Sequence, residues 1–270
     1  MVELWEKGIT YFTDMGVSRG VAATYIIVSI LLVLMALVAL VMRIIVIVKY
    51  QQGNRMTTSS GKNAREIARE ALDKAGLKHI QVKQAGFLRA FFIGNCYSIT
   101  QKTVFLRRGI INQNSITAAG LALQKVGIAK MCEGDKQSAT TKTRNIMQIL
   151  NILAPVLFVP VVLLGFIIDL VLFNTFGLFS VIGIIVGLVL VLSGFIATML
   201  NIPVEKKANE MALEMIKETG ILNEKEIEVV KEVFKAYMIA YVCEFIVAVL
   251  RVVQIILEII MDNQIASKNS

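Results

Sequence analysis

The stretch VAATYIIVSILLVLMALVALVMRIIVIV, residues 21–48, decides the fold, because Arg43 is the only charged residue in it. An α-helix of about 20 apolar residues is long enough to cross the hydrocarbon core of a bilayer. A secretory signal peptide is shorter and follows basic residues, whereas the acidic residues Glu3, Glu6 and Asp14 precede this run. Residues 21–48 therefore predict an uncleaved membrane helix.

The remaining composition predicts three further membrane spans. Of the 270 residues, 56% are hydrophobic and the mean hydropathy is +0.69, whereas soluble domains are about 45–50% apolar. The excess lies in long apolar runs at residues 148–173, 176–200 and 233–261. Asn174 and Thr175 leave room only for a tight hairpin between two of these runs. We therefore expect a mainly α-helical protein with four transmembrane helices.

The placement of lysine and arginine predicts the orientation of these spans. Residues 49–144 hold 17 Lys and Arg against 5 Asp and Glu, and residues 201–235 hold 6 Lys. With four spans, both basic segments fall on one side of the membrane, which the positive-inside rule makes the cytoplasm. We expect a multi-pass protein of the cytoplasmic (inner) membrane of a bacterium, with both termini outside. The lipid bilayer is then its natural partner, and nucleic acid is not expected because no recognised motif accompanies the charge.

The polar segments between the spans define the other domains. Residues 49–147 are enough for a small folded cytoplasmic domain, and residues 201–232 predict a cytoplasmic helical segment. The first part of the chain, residues 1–20, is aromatic and predicts an interfacial segment on the outer face. Residues 262–270 are left as an outer tail.

Local patterns predict helices and short strands in the first cytoplasmic segment. NAREIAREALDKAG, residues 63–76, is typical of a helix with a glycine just past its end. Residues 80–82 and 103–106 have strand character, and GNCYS, residues 94–98, is interpreted as a turn between them. Ser115 can cap the start of a second helix that runs to about Met131.

The second cytoplasmic segment predicts two helices. The first runs from about Val204 to Thr219 and ends at Gly220. The second begins near Asn223 and continues into the fourth span. Gly183 and Gly187 form G-x-x-x-G in the third span, a spacing that permits close helix packing.

The order of several blocks resembles a known family. NCYSITQKTVFLRRGIIN (95–112), ITAAGLALQKVGIAKM (116–131) and NIPVEKKANEMALEMIKETGIL (201–222) follow an N-terminal span, with a two-span hairpin before the third block. In this arrangement the chain resembles the bacterial YugP-type neutral zinc metallopeptidases, which are small membrane proteins. The resemblance implies a zincin-like α+β domain on the cytoplasmic side, within residues 49–147.

The resemblance also implies where a zinc site would lie. In that family one helix carries His-Glu-x-x-His, whose histidines bind zinc on one helical face while the glutamate activates a water molecule. Aligned by its flanks, this chain has Gln124, Lys125 and Ile128 at those positions. The position of the usual third ligand survives as Glu205. Catalytic zinc takes about three protein ligands, so we expect no zinc and no other cofactor.

What the emptied site contains is open at this stage. Lys125 is placed where it could pair with Glu205, although Glu205 could equally be a solvated glutamate at the start of a helix. His79 is the only histidine, so this chain alone cannot supply two. His79 is either an ordinary surface histidine or a relocated ligand. The cysteines follow no metal or disulfide pattern and are expected to be free thiols: Cys96, Cys132 and Cys243.

Four charged residues lie inside apolar runs. Glu244, Arg251 and Glu258 are seven residues apart, which places them on one stripe of the fourth helix, and Arg43 lies at a comparable depth in the first. Charges inside a membrane face other helices and find partners. They indicate a charged seam that holds helices or protomers together, a polar relay for transport, or a fourth helix that lies partly in the interface.

These patterns favour a pseudoenzyme over a working peptidase. The expected role is a scaffold or regulatory subunit of a membrane protein complex, with a membrane protein partner or an active paralogue, in a homo- or hetero-oligomer. One alternative is an active membrane metallopeptidase with non-standard ligands, such as Glu205 with Cys132, Glu133 or Asp135. The other is a transport component that uses the intramembrane charges.

Overall fold

The computed structural model describes residues 2–134, 157, 159–173 and 177–269. This part of the chain is mainly helical with one small mixed sheet, as the sequence predicts. The helices are α1 (Val2–Asp14), α2 (Arg19–Asn54), α3 (Ala64–Lys74), α4 (Phe87–Phe92), α5 (Arg108–Ile111), α6 (Ile116–Gly134), α7 (Val159–Phe173, with a π-helical last turn), α8 (Leu178–Thr219) and α9 (Glu224–Asn269). The strands are β1 (Gln81–Gln84), β2 (Cys96–Ser98) and β3 (Thr103–Leu106).

The chain divides into two compact units. The first joins Met1–Ile45 to Ile239–Ser270 and so contains α1, most of α2 and the last part of α9. Its small core includes Val17, Ala22 and Met261. The ammonium group of Lys268 donates a hydrogen bond to the carbonyl oxygen of Asp14 at 2.8 Å. This bond ties the last turns of α9 to the end of α1.

The second unit, Val46–Met238, holds the main core. Its sheet has the strand order β1-β3-β2, with β1 parallel and β2 antiparallel to β3. The core joins α3, α6, the second half of α8 and the start of α9 around the strands, and its largest buried side chains include Leu72, Leu106, Leu123 and Ile216. Helix α6 runs through the middle of this core, so its side chains are positioned by packing on several sides.

Helix starts follow the sequence closely. The side chain of Asn63 accepts a hydrogen bond from the backbone N–H of Glu66, and the Glu66 carboxylate accepts one from the N–H of Asn63. Asn223 and Glu226 form the same reciprocal capping pair at the start of α9. The hydroxyl of Ser115 accepts a hydrogen bond from the third N–H of α6 at 3.2 Å. These caps satisfy N–H groups that a helix leaves open and confirm the predicted starts.

Two local predictions are wrong in part, and one helix was not predicted. Within GNCYS only Gly94, at φ +77°, turns the chain, whereas Cys96–Ser98 forms β2 because it pairs with the strand after the next turn. The predicted helix from Val204 is the second half of α8, which continues through Pro203 without a break. A proline inside a helix removes one hydrogen bond, and the packing of the following turns in the core offsets this loss. Helix α4 was not predicted.

One described helix, α2, is long and apolar enough to cross a membrane by length and composition. Helix α7 (Val159–Phe173) and the apolar first part of α8 (Leu178–Leu190) are shorter. The beginning of the predicted span 148–173 and the hairpin at Asn174 and Thr175 lie outside the described residues. The predicted tail after residue 261 is helical as far as Asn269.

Candidate functional site

The site predicted from the resemblance lies where α6 packs directly against α8. A Cβ atom on Gly127 would come within 2.8 Å of the carbonyl oxygen of Ala208, a distance that real Cβ contacts do not show. A Cβ atom on Gly120 would come within 2.9 Å of the Val230 side chain on α9. Glycine at these two positions therefore lets α6 approach α9 and α8 closely. The candidate residues Gln124, Lys125 and Ile128 lie beside Gly127 on α6.

Gln124, which the resemblance aligns with the first histidine, bonds to α8. Its amide Nε2 donates a hydrogen bond to Oδ1 of Asn209 at 2.6 Å, and both side chains are buried. Asn209 is one helical turn after Glu205, so the two polar side chains of α8 lie on one face. An amide–amide bond between two helices satisfies buried polar groups without a metal ion.

Lys125, which the resemblance aligns with the catalytic glutamate, pairs with Glu205. Its Nζ lies 3.4 Å from Oε2 of Glu205, and each side chain is only 11% exposed. The surviving carboxylate thus has an ammonium group beside it. A carboxylate at this place in a metallopeptidase would instead bind zinc or activate water.

The residues present do not fit a zinc ion. Ile128, at the second histidine position, is 1% exposed and has no donor atom. Gln124 offers an amide, Lys125 a cation, and Glu205 a carboxylate that the cation already neutralises. Within residues 2–134, 157, 159–173 and 177–269, no three His, Cys, Asp or Glu side chains are grouped so that they could hold a metal.

The suggested substitute ligands are engaged elsewhere. Glu133, near the end of α6, accepts hydrogen bonds from the hydroxyl of Tyr97 at 2.8 Å and from the ammonium group of Lys102. Its other oxygen lies 3.2 Å from Nε2 of the half-exposed His79. Cys132 is buried, and none of the three cysteines, all of which the structure describes, forms a disulfide bond. Asp135 lies outside the described residues.

The surroundings of Glu133 fix its charge. Burial raises the pKa of this carboxyl, but the hydrogen bonds from Lys102, Tyr97 and His79 outweigh burial, and the net pKa is below the ordinary value. Burial, and then the hydrogen bond to Glu133, raises the pKa of the Tyr97 phenol. The cluster is therefore an anchored carboxylate that joins the end of α6 to the sheet.

The four charged residues of the predicted first and fourth spans meet partners within the first unit. Nε of Arg43 lies 2.8 Å from Oε1 of Glu244, and the two side chains are 66% and 38% exposed. Arg251 donates a hydrogen bond to Gln254 at 2.6 Å, and Glu258 accepts one from the hydroxyl of Tyr25 at 3.3 Å. The stripe on α9 is therefore one side of a seam with α2, in which Arg251 and Glu258 bond to neutral side chains.

Sequence reasoning missed three polar residues of these arrangements. Asn209 was overlooked, although it follows Glu205 by one turn. Gln254 donates weakly to Tyr25 and to Ser29 at 3.4 Å. Asp169 is buried at the end of α7, where it accepts hydrogen bonds from N–H groups at the start of α8, including that of Ser180 at 2.6 Å. An acidic residue within an apolar run was the signal for Asp169.

Comparisons with known proteins establish the family of the chain. Over 211 residues the chain is 25% identical to the "Putative membrane protease YugP" of Bacillus subtilis (strain 168), an alignment that covers 77% of this chain and 85% of the relative. No solved structure matches the chain. The family model described as "Putative neutral zinc metallopeptidase" matches residues 26–260, a region that contains α6, α8 and the seam. The chain therefore belongs to this family of neutral zinc metallopeptidases.

Proposed function

We propose that this chain is a catalytically inactive membrane homologue of its metallopeptidase family, with a binding role in a membrane protein complex. The observation that carries the proposal is the contact between Lys125 and Glu205 at 3.4 Å, in a site closed beside it by the bond between Gln124 and Asn209. The site has a complete set of protein–protein bonds of its own. Its side chains hold α6 and α8 together instead of binding zinc and water.

A working peptidase with substitute ligands is the weaker candidate. It would need Glu205 to leave Lys125, and it would need Glu133 to leave three donors that lower its pKa. Each exchange exposes a buried charge or breaks charge-assisted hydrogen bonds, which are the strong ones. The arrangement therefore favours the inactive homologue.

The proposal includes four membrane spans with both termini outside. Helix α2 supports the first span, and the apolar helices Val159–Phe173 and Leu178–Leu190 support the hairpin. The basic residues between the spans support a cytoplasmic location for the second unit. Reporter fusions test the topology: fusions at Asn174 and Ser270 are expected to read external. A cytoplasmic signal at Ser270 with an external one at Asn174 would remove the fourth span.

The exposed side of the seam supports a protein partner. Arg43 and Glu244 pair on the surface of the first unit, within apolar helix segments, and 66% of the Arg43 side chain is exposed. Charged side chains inside a membrane are costly when they face lipid and usually face other helices. A second membrane protein or a second copy of this chain would cover them. A transport role fits less well, because the described charges of the seam are held by paired side chains.

Two measurements on the full chain in mild detergent test this function. Peptidase assays with an unfolded protein substrate are expected to show no cleavage above that of a Glu205→Gln variant. Affinity purification, followed by mass spectrometry, is expected to yield one membrane protein in a whole-number ratio, or an oligomer of this chain. Cleavage that is lost in Glu205→Gln would contradict the inactive assignment, and a monodisperse monomer alone would contradict the role in a complex.

A further inference from the structure

A cleft of about 480 Å³ in the second unit has no role in the metallopeptidase-like site. Its lining includes the apolar residues Val46, Ile47 and Ile110 and the polar residues Asn95 and Arg107. This volume lies within the range of small-molecule sites, which is roughly 300–1,000 Å³. The combination of apolar and polar lining residues suits a ligand that has both an apolar part and a polar or charged part.

Three donor groups that line the cleft bond to no acceptor among the described residues. The Arg107 side chain is exposed, and no acidic side chain in the described part of the chain forms an ion pair with it. The hydroxyls of Tyr50 and Tyr237 line the same cleft, and neither makes a hydrogen bond to another described residue. Both rings are close enough to Arg107 to interact with its positive charge. Guanidinium and phenol groups that converge in this way are suited to an anion, above all to phosphate.

The cleft also lies at the level where lipid headgroups are expected. Its lining residues Val46 and Ile47 belong to the end of the apolar run 21–48, and Tyr50 and Gln51 follow in the next turn of α2. Where this helix leaves the membrane, the cleft opens beside the phosphates of the cytoplasmic leaflet. Anionic lipids of that leaflet attract arginine and lysine near the surface.

Helix α4, beside the cleft, has three exposed apolar side chains. Phe87, Leu88 and Phe91 are 82%, 68% and 71% exposed. Two residues after α4, Gly94 lies against the Arg107 guanidinium, which would be 3.0 Å from a Cβ atom there. Exposed aromatic residues beside a cation are typical of a segment that enters the membrane interface. This feature is independent of the cleft and indicates lipid rather than a soluble ligand.

We propose that this cleft binds the phosphate group of an anionic phospholipid of the cytoplasmic leaflet. The Arg107 guanidinium holds the phosphate, and the hydroxyls of Tyr50 and Tyr237 donate to its oxygens. The first carbons of the acyl chains lie along Val46 and Ile47. The apolar face of α4 enters the same leaflet and keeps the cleft at the headgroup level.

Binding of defined lipids to the delipidated full chain tests the proposal. The probes are phosphatidylglycerol and phosphatidylcholine with six-carbon acyl chains, and glycerol 1-phosphate, which has the phosphate without the acyl chains. The apparent dissociation constants come from the shift of Tm in neutral detergent. Phosphatidylglycerol is expected to bind at least about tenfold more tightly than either of the other probes, since only it combines net charge with apolar chains.

The variants separate a built site from general charge attraction. Arg107→Gln is expected to weaken binding of phosphatidylglycerol about tenfold, as for the loss of a charge-assisted hydrogen bond. Arg108→Gln is the matched control, because this neighbour carries the same charge, is exposed and does not line the cleft. Tyr237→Phe, which keeps the ring, is expected to weaken binding about threefold with an unchanged Tm without lipid.

Three results would overturn the proposal. Equal losses in Arg107→Gln and Arg108→Gln would reduce the effect to surface charge. Phosphatidylcholine that binds as tightly as phosphatidylglycerol would remove the selection for an anion. Glycerol 1-phosphate that binds as tightly as the lipid would assign the cleft to a soluble phosphate ester. Since none of these residues belongs to the site of Lys125 and Glu205, the outcome is independent of the proposed loss of catalysis.

Discussion

The ion pair between Lys125 and Glu205 makes a quantitative prediction. Lys125→Met keeps the length of the side chain but removes its charge, which leaves the Glu205 carboxylate in a site where it is 11% exposed. Removing one partner of a buried pair costs about 3–5 kcal/mol, and the 3.4 Å separation places this pair at the lower end. Glu205→Gln is expected to lose a similar amount. The double variant is expected to lose about 1 kcal/mol or less, because neither charge then remains unpaired.

Equilibrium unfolding in mild detergent measures the free energy of all four proteins. Two single losses of about 3 kcal/mol and a double loss of about 1 kcal/mol or less correspond to a coupling energy of about 5 kcal/mol. Lys231 and Glu228 are the control pair: their charged atoms are closer, at 2.9 Å, but their side chains are 43% and 64% exposed. That pair should couple by less than about 1 kcal/mol. If the losses at Lys125 and Glu205 simply add, the ammonium group does not neutralise the carboxylate, and the account of the emptied site is wrong.

Three further predictions concern the seam, the helix packing and the anchored carboxylate. Arg43→Leu and Glu244→Leu should each reduce the yield of folded protein, because the charge left unpaired in an apolar segment costs up to about 2.5–3.5 kcal/mol. The double variant should recover much of this loss. Additive losses would mean that the two residues are not coupled. Gly127→Ala should lower the unfolding free energy by about 1–3 kcal/mol because its Cβ would clash with α8, whereas Gly109→Ala meets nothing and should not. The pKa of Glu133 is lower in the folded protein, so the stabilisation that the Glu133 carboxylate contributes is present at neutral pH and is lost as the pH falls from about 4.5 through that lowered pKa. The Tm difference between the wild type and Glu133→Gln should therefore shrink over this pH interval. A Tm difference that is constant with pH would contradict this prediction.

Local signals predicted the helix starts well because short-range chemistry determines them. The capping pairs at Asn63 and Asn223 and the cap at Ser115 need only residues within one turn. Strand β2 was missed because its three residues gain a strand conformation only by pairing with β3. The continuous helix through Pro203 was missed because packing in the core outweighed the local cost of proline.

The charged residues of the candidate site could be predicted from the sequence, but the hydrogen bond between Gln124 and Asn209 could not. The resemblance placed Lys125 near Glu205, since both positions belong to one site in the family. Asn209 could not be singled out, because a buried amide between two helices leaves no periodic signal in the sequence. The donors that hold Glu133 come from the turn before β3, from β2 and from the loop before β1, so only the folded chain brings them to one carboxylate.

The zinc content of the purified chain tests the central claim most directly. The full-length protein is purified in mild detergent, incubated with excess zinc and freed of unbound metal, and zinc per chain is then measured by elemental analysis beside the Glu205→Gln variant. The account predicts less than about 0.1 zinc per chain in both proteins, because one neutralised carboxylate cannot replace about three ligands. About one zinc per chain in the wild type, lost in Glu205→Gln, would contradict it.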